Sequence, residues 1–314
     1  MTGDDEHLIV FEHERPRLVG LAYRLLGSLA DAEDAVQDAW LRWSRTDVTL
    51  VENPAAWLTT TVSRLGLDRL RARRRAQETY LGPWLPEPLV RPVALDDPAE
   101  HAEMADSLTT AFLVLLERLS PEERLVLLLA DVFGEPFPTV AEVVGRSPDA
   151  TRQLAVRARR KLTGGYNGVQ GATDPTRSLG EASTRRTSQR AQLAIATSFV
   201  GAVMSGDIEA VRAMLQPDAV LTSDGGPHRH AARRPVVGAD RVARFLVNLA
   251  KRLPLERVRA EVVWVNGSPG MVVLVDDVVS VVQVIEVSGD LVSHQYTIVN
   301  PDKLGSIGRS IELV

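Results

Sequence analysis

Two periodicities divide the chain. Up to about residue 163, apolar positions recur three and four residues apart, the spacing of helices that bury one stripe. Beyond residue 258 they gather into β-branched runs at 258–265, 271–275, 278–287 and 291–299, separated by Asn266-Gly267, Asp276-Asp277 and Gly289-Asp290 turns. Between the two regimes, residues 191–204, 207–215 and 240–253 read as helices, the first two split by Gly206, and 219–222 begins a strand. Helices followed by a run of antiparallel strands predict an α+β domain behind an all-α region.

The helical half reads as two modules. In the first, about 6–78, Leu18, Leu21, Ala22, Leu25 and Leu26 form a stripe that stops at Gly27, a plausible C-cap. Ser28 or Asp31 caps the next helix. There Ala32, Ala35, Val36, Ala39, Trp40 and Trp43 hide one face while Asp31, Glu33, Asp34 and Asp38 cover the rest. An acidic face of this kind is either ordinary solvated surface or a dock for a basic partner. A third helix opens at Asn53-Pro54, an N-cap followed by proline at the first helical position. Its far end carries Arg64, Arg69, Arg71, Arg73, Arg74 and Arg75 against the single Asp68. Such a concentration suits phosphate contact, or cations placed at the negative end of a helix dipole.

The second module, about 108–163, begins with a helix through Leu108, Phe112, Leu115, Leu116 and Leu119. Ser120-Pro121-Glu122-Glu123 is a capping box that opens another. A short helix through Phe137, Val140, Ala141 and Val144 ends at Gly145, and Ser147-Pro148 starts the last. That order is a helix-turn-helix. In the last helix Thr151, Ala155, Ala158 and Leu162 make the inward seam. Arg152, Gln153, Val156, Arg157 and Arg160 lie off it, where long donors can reach base edges.

Two connecting segments separate the modules. Residues 79–107 are rich in proline, with Pro83, Pro86, Pro88, Pro92 and Pro98, which excludes helix and favours extended chain. Within it, Trp84-Leu85-Pro86-Glu87-Pro88 holds an indole and a leucine that a passive spacer would not expose, so Trp84 is expected to be buried against another part of the chain. Residues 164–189 are rich in Gly, Ser and Thr and read as a flexible linker to a third domain at 190–314.

Composition narrows the function classes. The absence of cysteine rules out disulfides and thiolate chemistry. No apolar run approaches the ~20 residues of a membrane span, and the acidic start lacks the features of a signal peptide, so the expected location is cytoplasmic. A net charge of −5 leaves nucleic-acid contact to local basic patches. Neither helical module contains a nucleophile elbow, a phosphate-binding loop or a metal cluster, and no cofactor, metal or catalytic residue is expected.

Asp31-Ala-Glu-Asp-Ala-Val-Gln-Asp-Ala-Trp40, Ala56-Trp57-Leu58 and Leu67-Asp68-Arg69-Leu70-Arg71 resemble region 2 of the extracytoplasmic-function (ECF) sigma factors of bacterial RNA polymerase. The helix-turn-helix resembles their region 4, with Leu154 where an arginine is common. The W-L-P-E-P linker resembles that of the ECF41-like subgroup, whose linker contacts a C-terminal extension. The third domain resembles the SnoaL-like group of the NTF2-like fold, a curved sheet wrapped around helices as a cone. Asp224-Gly225-Gly226 and Asn300-Pro301-Asp302-Lys303 resemble motifs of that extension, although Pro227 and His228 stand where glycine and lysine are usual.

The resemblance implies that Asp34, Gln37 and Asp38 face core RNA polymerase. It also implies that Arg64, Asp68, Arg69, Arg71, Arg73 and Arg74 meet the −10 element, and the last helix the −35 element. The third domain would modulate activity through the linker, and a small ligand or regulator would be a further partner. Two alternatives stay open: a helix-turn-helix regulator with a ligand-sensing cone, and a tethered enzyme of the NTF2-like fold using Asp224, Asp276, His228, His230 or His294. His228 and His230 with Asp224 also form a weak metal-binding candidate.

Overall fold

The structure is a computed structural model that describes residues 3–77, 80, 82–93, 109–164, 189–253, 255–305 and 307. The proposed linker at 164–189 and Pro98 therefore lie outside the described residues, apart from the ends of that linker. The chain divides into two compact units: residues 1–79 with 115–164, and residues 80–114 with 165–314. The proline-rich segment thus belongs to the C-terminal unit.

The first unit is all helix. Helix α1 (Gly3–Leu26) ends at Gly27, whose φ of 68° is the left-handed turn the sequence called for. Helix α2 (Leu29–Trp43) is capped by Ser28, whose hydroxyl accepts the Asp31 N–H, which settles the choice of cap. Helix α3 (Pro54–Gln77) is capped by Asn53 through the Ala56 N–H. The three pack on Leu18, Leu25, Ala35, Ala39, Leu58 and Val62, all buried. Trp43 closes the end of that core. Its indole donates to the His7 carbonyl at 3.0 Å and lies 5.3 Å from the Trp57 ring, so a buried N–H is satisfied.

After α4 (Thr110–Leu116), helix α5 (Pro121–Leu127) begins with the capping box that Ser120 and Glu123 predict, both reciprocal bonds present. It runs on through a wider π-type turn at Leu128–Val132. Helices α6 (Phe137–Val144) and α7 (Pro148–Gly164) follow, joined across Gly145 at φ 71°. Thr151, Ala155, Ala158 and Leu162 are buried as the seam requires, and Leu154 joins them.

The C-terminal unit is a seven-stranded sheet in the order β1-β4-β5-β6-β7-β2-β3. Its elements are β1 (Val90–Pro92), α8 (Gln189–Ser205), α9 (Ile208–Ala213), β2 (Leu215–Asp224), β3 (Val236–Val237), α10 (Ala239–Ala250), β4 (Val258–Val265), β5 (Ser268–Val275), β6 (Val278–Ser288) and β7 (Leu291–Ile298). Neighbours are antiparallel except β2 and β7, which run parallel. Asn266-Gly267 and Asp276-Asp277 all have positive φ, as two-residue hairpin turns of the right twist demand. The β-branched runs therefore formed the strands expected of them. The reading missed β3, started β2 four residues late, and took Val90–Pro92 for linker. Those three residues instead add an edge strand to β4, a position where proline costs no ladder bond.

The sheet has an apolar core on each face. One packs Leu85 and Val90 of the proline-rich segment with Val265, Val272, Val284 and Ile298. The other packs α8 and α10 through Phe199, Val242 and Leu246 against Ile285 and Val292. Glu286 of β6 reaches α4: its carboxylate accepts the Ser268 hydroxyl at 3.0 Å and the Ala111 backbone N–H. Burial pushes that carboxyl up, against the pull of both donors.

A carboxyl raised by folding contributes stability that is present below its ordinary value of 4.5 and is lost as pH rises through the folded value. Glu286→Gln is therefore expected to raise the unfolding temperature of the C-terminal unit more at pH 8 than at pH 5, by a few degrees in calorimetry. An equal effect at both pH values would contradict it.

Candidate polymerase and promoter interface, and the linker clasp

Helix α2 presents its acids as the pattern implied. Asp34 and Gln37 are exposed, and Asp38 is half-buried. One further residue of that row escaped the sequence reading. Leu41, one turn beyond Gln37 and Asp38, is 45% exposed. An exposed leucine beside carboxylates gives the face an apolar contact as well as charge. Its signal was present in the i, i+3, i+4, i+7 spacing from Asp34.

The arginines at the basic end of α3 are engaged by partners, although Arg64, Arg71 and Arg74 remain exposed. Arg69 pairs with Asp38 of α2 at 2.7 Å. Arg64 donates to the Glu142 carbonyl at 2.9 Å, and Arg71 to Glu122 at 2.6 Å as well as to Asp68 at 3.3 Å. Arg73 reaches Glu117 at 3.0 Å, and Arg74 the Leu119 carbonyl at 3.5 Å. Four of these arginines thus engage residues 117–142, the second helical module. The strongest point is Glu117, shared by Arg73 and Arg124. Burial alone would raise the Glu117 carboxyl, but the two guanidinium groups hold it below its ordinary value. The Arg124 side chain is only 2% exposed and also donates to the Arg24 carbonyl at 2.9 Å. Burial lowers Arg24 in turn, to about 10.

Helix α7 differs. Arg152, Gln153, Val156, Arg157 and Arg160 are all exposed on one face, with Val156 at 59%. Arg152 is steadied by Asp149 at 2.6 Å and lies over the Phe137 ring. Arg159 and Lys161, flanking that face, are tied back to Asp131 and Glu123. Leu154 is buried, so the position where an arginine is common serves the seam here.

In the C-terminal unit the two short motifs meet the proline-rich segment at one carboxylate. Asp224, at the end of β2, is fully buried. It accepts from the Tyr80 hydroxyl at 2.5 Å, the Leu85 N–H at 2.8 Å, the Gly226 N–H at 3.0 Å and the Lys303 ammonium at 2.7 Å. Lys303 also donates to the Leu85 carbonyl and lies 3.9 Å from the centre of the Trp84 ring. The Asn300 amide donates to the Tyr80 oxygen at 3.1 Å. Gly226 sits at φ 59°, where a Cβ would come within 2.5 Å of the Asn300 side chain, so a larger residue would open the clasp. Pro86, Glu87 and Pro88 are buried beside it.

Two expectations need correction. Trp84 is only half-buried, and the fully buried anchor is Leu85. The indole's face covers the buried Lys303 cation, while leucine, with no polar atom to satisfy, enters the core. Pro301 and Asp302 are exposed; Asp302 lies 3.9 Å from His228, and its charge also reaches the Tyr80 phenol. The metal candidate also lapses, because the Asp224 oxygens are already filled by four donors. Among the described residues no group of three or more His, Asp or Glu could hold a metal ion.

Comparison with known proteins accords with this geometry. Residues 10–76 match the model of sigma-70 region 2, and residues 109–162 that of sigma-70 region 4. The ECF RNA polymerase sigma factor SigJ of Mycobacterium tuberculosis is 42% identical over 242 residues, 77% of this chain and 72% of the relative. The chain belongs to the ECF RNA polymerase sigma factors. The probable ECF sigma factor SigI of the same species is 28% identical over 97% of both chains. The crystal structure of SigJ superposes with a TM-score of 0.71 at 36% identity, covering 97% of this chain and 99% of that one. The family thus accounts for the all-α modules, and the C-terminal domain is the NTF2-like cone.

Two measurements test the polar clusters of this sigma factor. Glu117→Ala leaves Arg124 buried without its carboxylate and is expected to cost about 3–5 kcal/mol in denaturant unfolding of the first unit; a loss under 1 kcal/mol would refute the shared-anion reading. Burial, then the bond and charge of Asp224, raise the Tyr80 phenol above its ordinary 10.0. In Asp224→Asn, ultraviolet titration is expected to show one of the four tyrosines moving part-way back down.

Proposed function

We propose that this sigma factor binds core RNA polymerase through Asp34, Gln37, Asp38 and Leu41 of α2 and reads the −35 element with Arg152, Gln153, Val156, Arg157 and Arg160 of α7. The −10 element is contacted by the α3 end, through Arg64, Asp68, Arg69, Arg71, Arg73 and Arg74. The observation that carries the reading is the division of labour on α7. Its small residues are buried, its long donors share an exposed face, and the cations beside that face are tied to acids of the same unit. A helix built so presents base-reading groups in one row.

In this arrangement the α3 arginines engage the second module, so their use on DNA requires the two modules to part. We read the conformation as a closed one that polymerase and promoter open. Glu117 and Glu122 then act as stand-ins for phosphate, because a guanidinium answers either anion with the same donors.

The C-terminal domain modulates activity through the proline-rich segment, in the manner of the ECF41-like subgroup. Support comes from the Asp224 clasp, which gathers Tyr80, Leu85 and Lys303 on one carboxylate. A small ligand or regulator of the cone is a further partner. The reading assigns no catalytic residue and places the protein in the cytoplasm, where polymerase is; no helix among the described residues is long and apolar enough to cross a membrane.

Transcription in vitro with purified core polymerase tests this. Arg157→Ala with Gln153→Ala is expected to lower promoter-dependent initiation more than tenfold while leaving core binding unchanged. Asp34→Ala with Asp38→Ala should weaken core binding itself. Trp84→Ala should change output with both units still folded by circular dichroism. Tight polymerase-independent DNA binding without initiation would replace the reading with a stand-alone regulator.

A further inference from the structure

The sheet of the C-terminal unit carries different cargo on its two faces. Val272, Val282 and Ile298 face the core that holds Leu85. Their neighbours Met271, Val273, Val281 and Thr297 line a cavity of about 150 Å³ beneath α8 and α10. The helices contribute Phe199, Val203 and Phe245, and the exposed Met204 and Leu249 mark its rim. An apolar cavity of about this size accepts a molecule as large as benzene.

Polarity narrows the occupant. The lining contains no Asp, Glu, Lys or Arg, and His230 is its one ionisable side chain. An ion entering would lose its hydration with no partner for its charge. Yet the cavity is not wholly apolar, for Gln283 presents an amide and Thr297 and Ser223 present hydroxyls.

We propose that this cavity is a binding site for a small, neutral, largely apolar molecule of one ring or its aliphatic equivalent, carrying a hydroxyl or similar hydrogen-bonding group. The inference rests on the reading that the C-terminal domain has a ligand, and gives that ligand a chemical class. The site also has a route to the linker. Ser223 and Val299 line the cavity, and the next residues, Asp224 and Asn300, hold Tyr80 and Leu85.

The test is binding by the free full-length chain, without polymerase or DNA, so that its outcome is separate from the transcription result. The probe is 4-fluorobenzyl alcohol, followed by the broadening and shift of its fluorine resonance, with 4-fluorobenzoate as the charged analogue. Saturable binding of the alcohol is expected, at least tenfold tighter than the benzoate. Val281→Phe on the sheet and Val203→Phe on α8 fill the cavity and should each weaken binding more than tenfold. Leu50→Ala, exposed in the other unit, should not. Either filled variant decides the matter provided it keeps the wild-type unfolding temperature. No saturable binding, equal binding of the benzoate, or undiminished binding by a folded filled variant would overturn the proposal. Failure here would leave the sigma-factor reading standing, since initiation and core binding are measured independently.

Discussion

A fully buried carboxylate must be paid for by donors, and Asp224 dictates much of the C-terminal unit through that requirement. Four donors converge on it from three places in the sequence: Tyr80 and Leu85, Gly226, and Lys303. Each arrives with consequences. Lys303 cannot reach unless Asn300-Pro301 turns, and Leu85 cannot donate unless the proline-rich segment lies extended against the sheet. Once it does, Val90–Pro92 falls in register with β4. A segment that would be a spacer by composition becomes part of a domain distant in sequence.

At the end of α3 in the first unit the sign is reversed. There the local excess is cationic, and Glu117, Glu122 and the carbonyls of Leu119 and Glu142 absorb it. Charge-assisted bonds of this kind hold well when partly buried but exchange readily for another anion. That suits the proposed exchange of partners between free and engaged protein. On α7, by contrast, Gln153, Val156 and Arg157 are exposed, and Arg152 on the same face pairs with Asp149 of its own helix.

The cavity and the clasp sit on opposite faces of shared strands because side chains of a strand alternate. Neighbouring residues therefore serve different partners one peptide apart, as Ser223 and Asp224 do on β2. The strand ends belong to both sites, the route by which the proposed ligand would reach the linker.

The sequence by itself determined most of the helices and the run of strands from β4 to β7, though not β1 or β3. Caps at Ser28, Asn53 and Ser120, left-handed glycines at 27 and 145, and hairpin turns at 266–267 and 276–277 are local effects, set within a few residues. The buried seam and exposed row of α7 followed from 3.6-residue periodicity alone, and the motifs around Asp34 and Asp68 carried the family. Only the tertiary structure decided which polar groups meet. That Asp224 would be the hub of the clasp, that Leu85 and not Trp84 would be its deep anchor, and that the α3 arginines would spend their charge on Glu117 and Glu122 all depend on partners tens to more than a hundred residues away. No local rule encodes such pairings, because what selects them is the cost of leaving a buried charge or donor alone, and that cost exists only once the chain has closed around it.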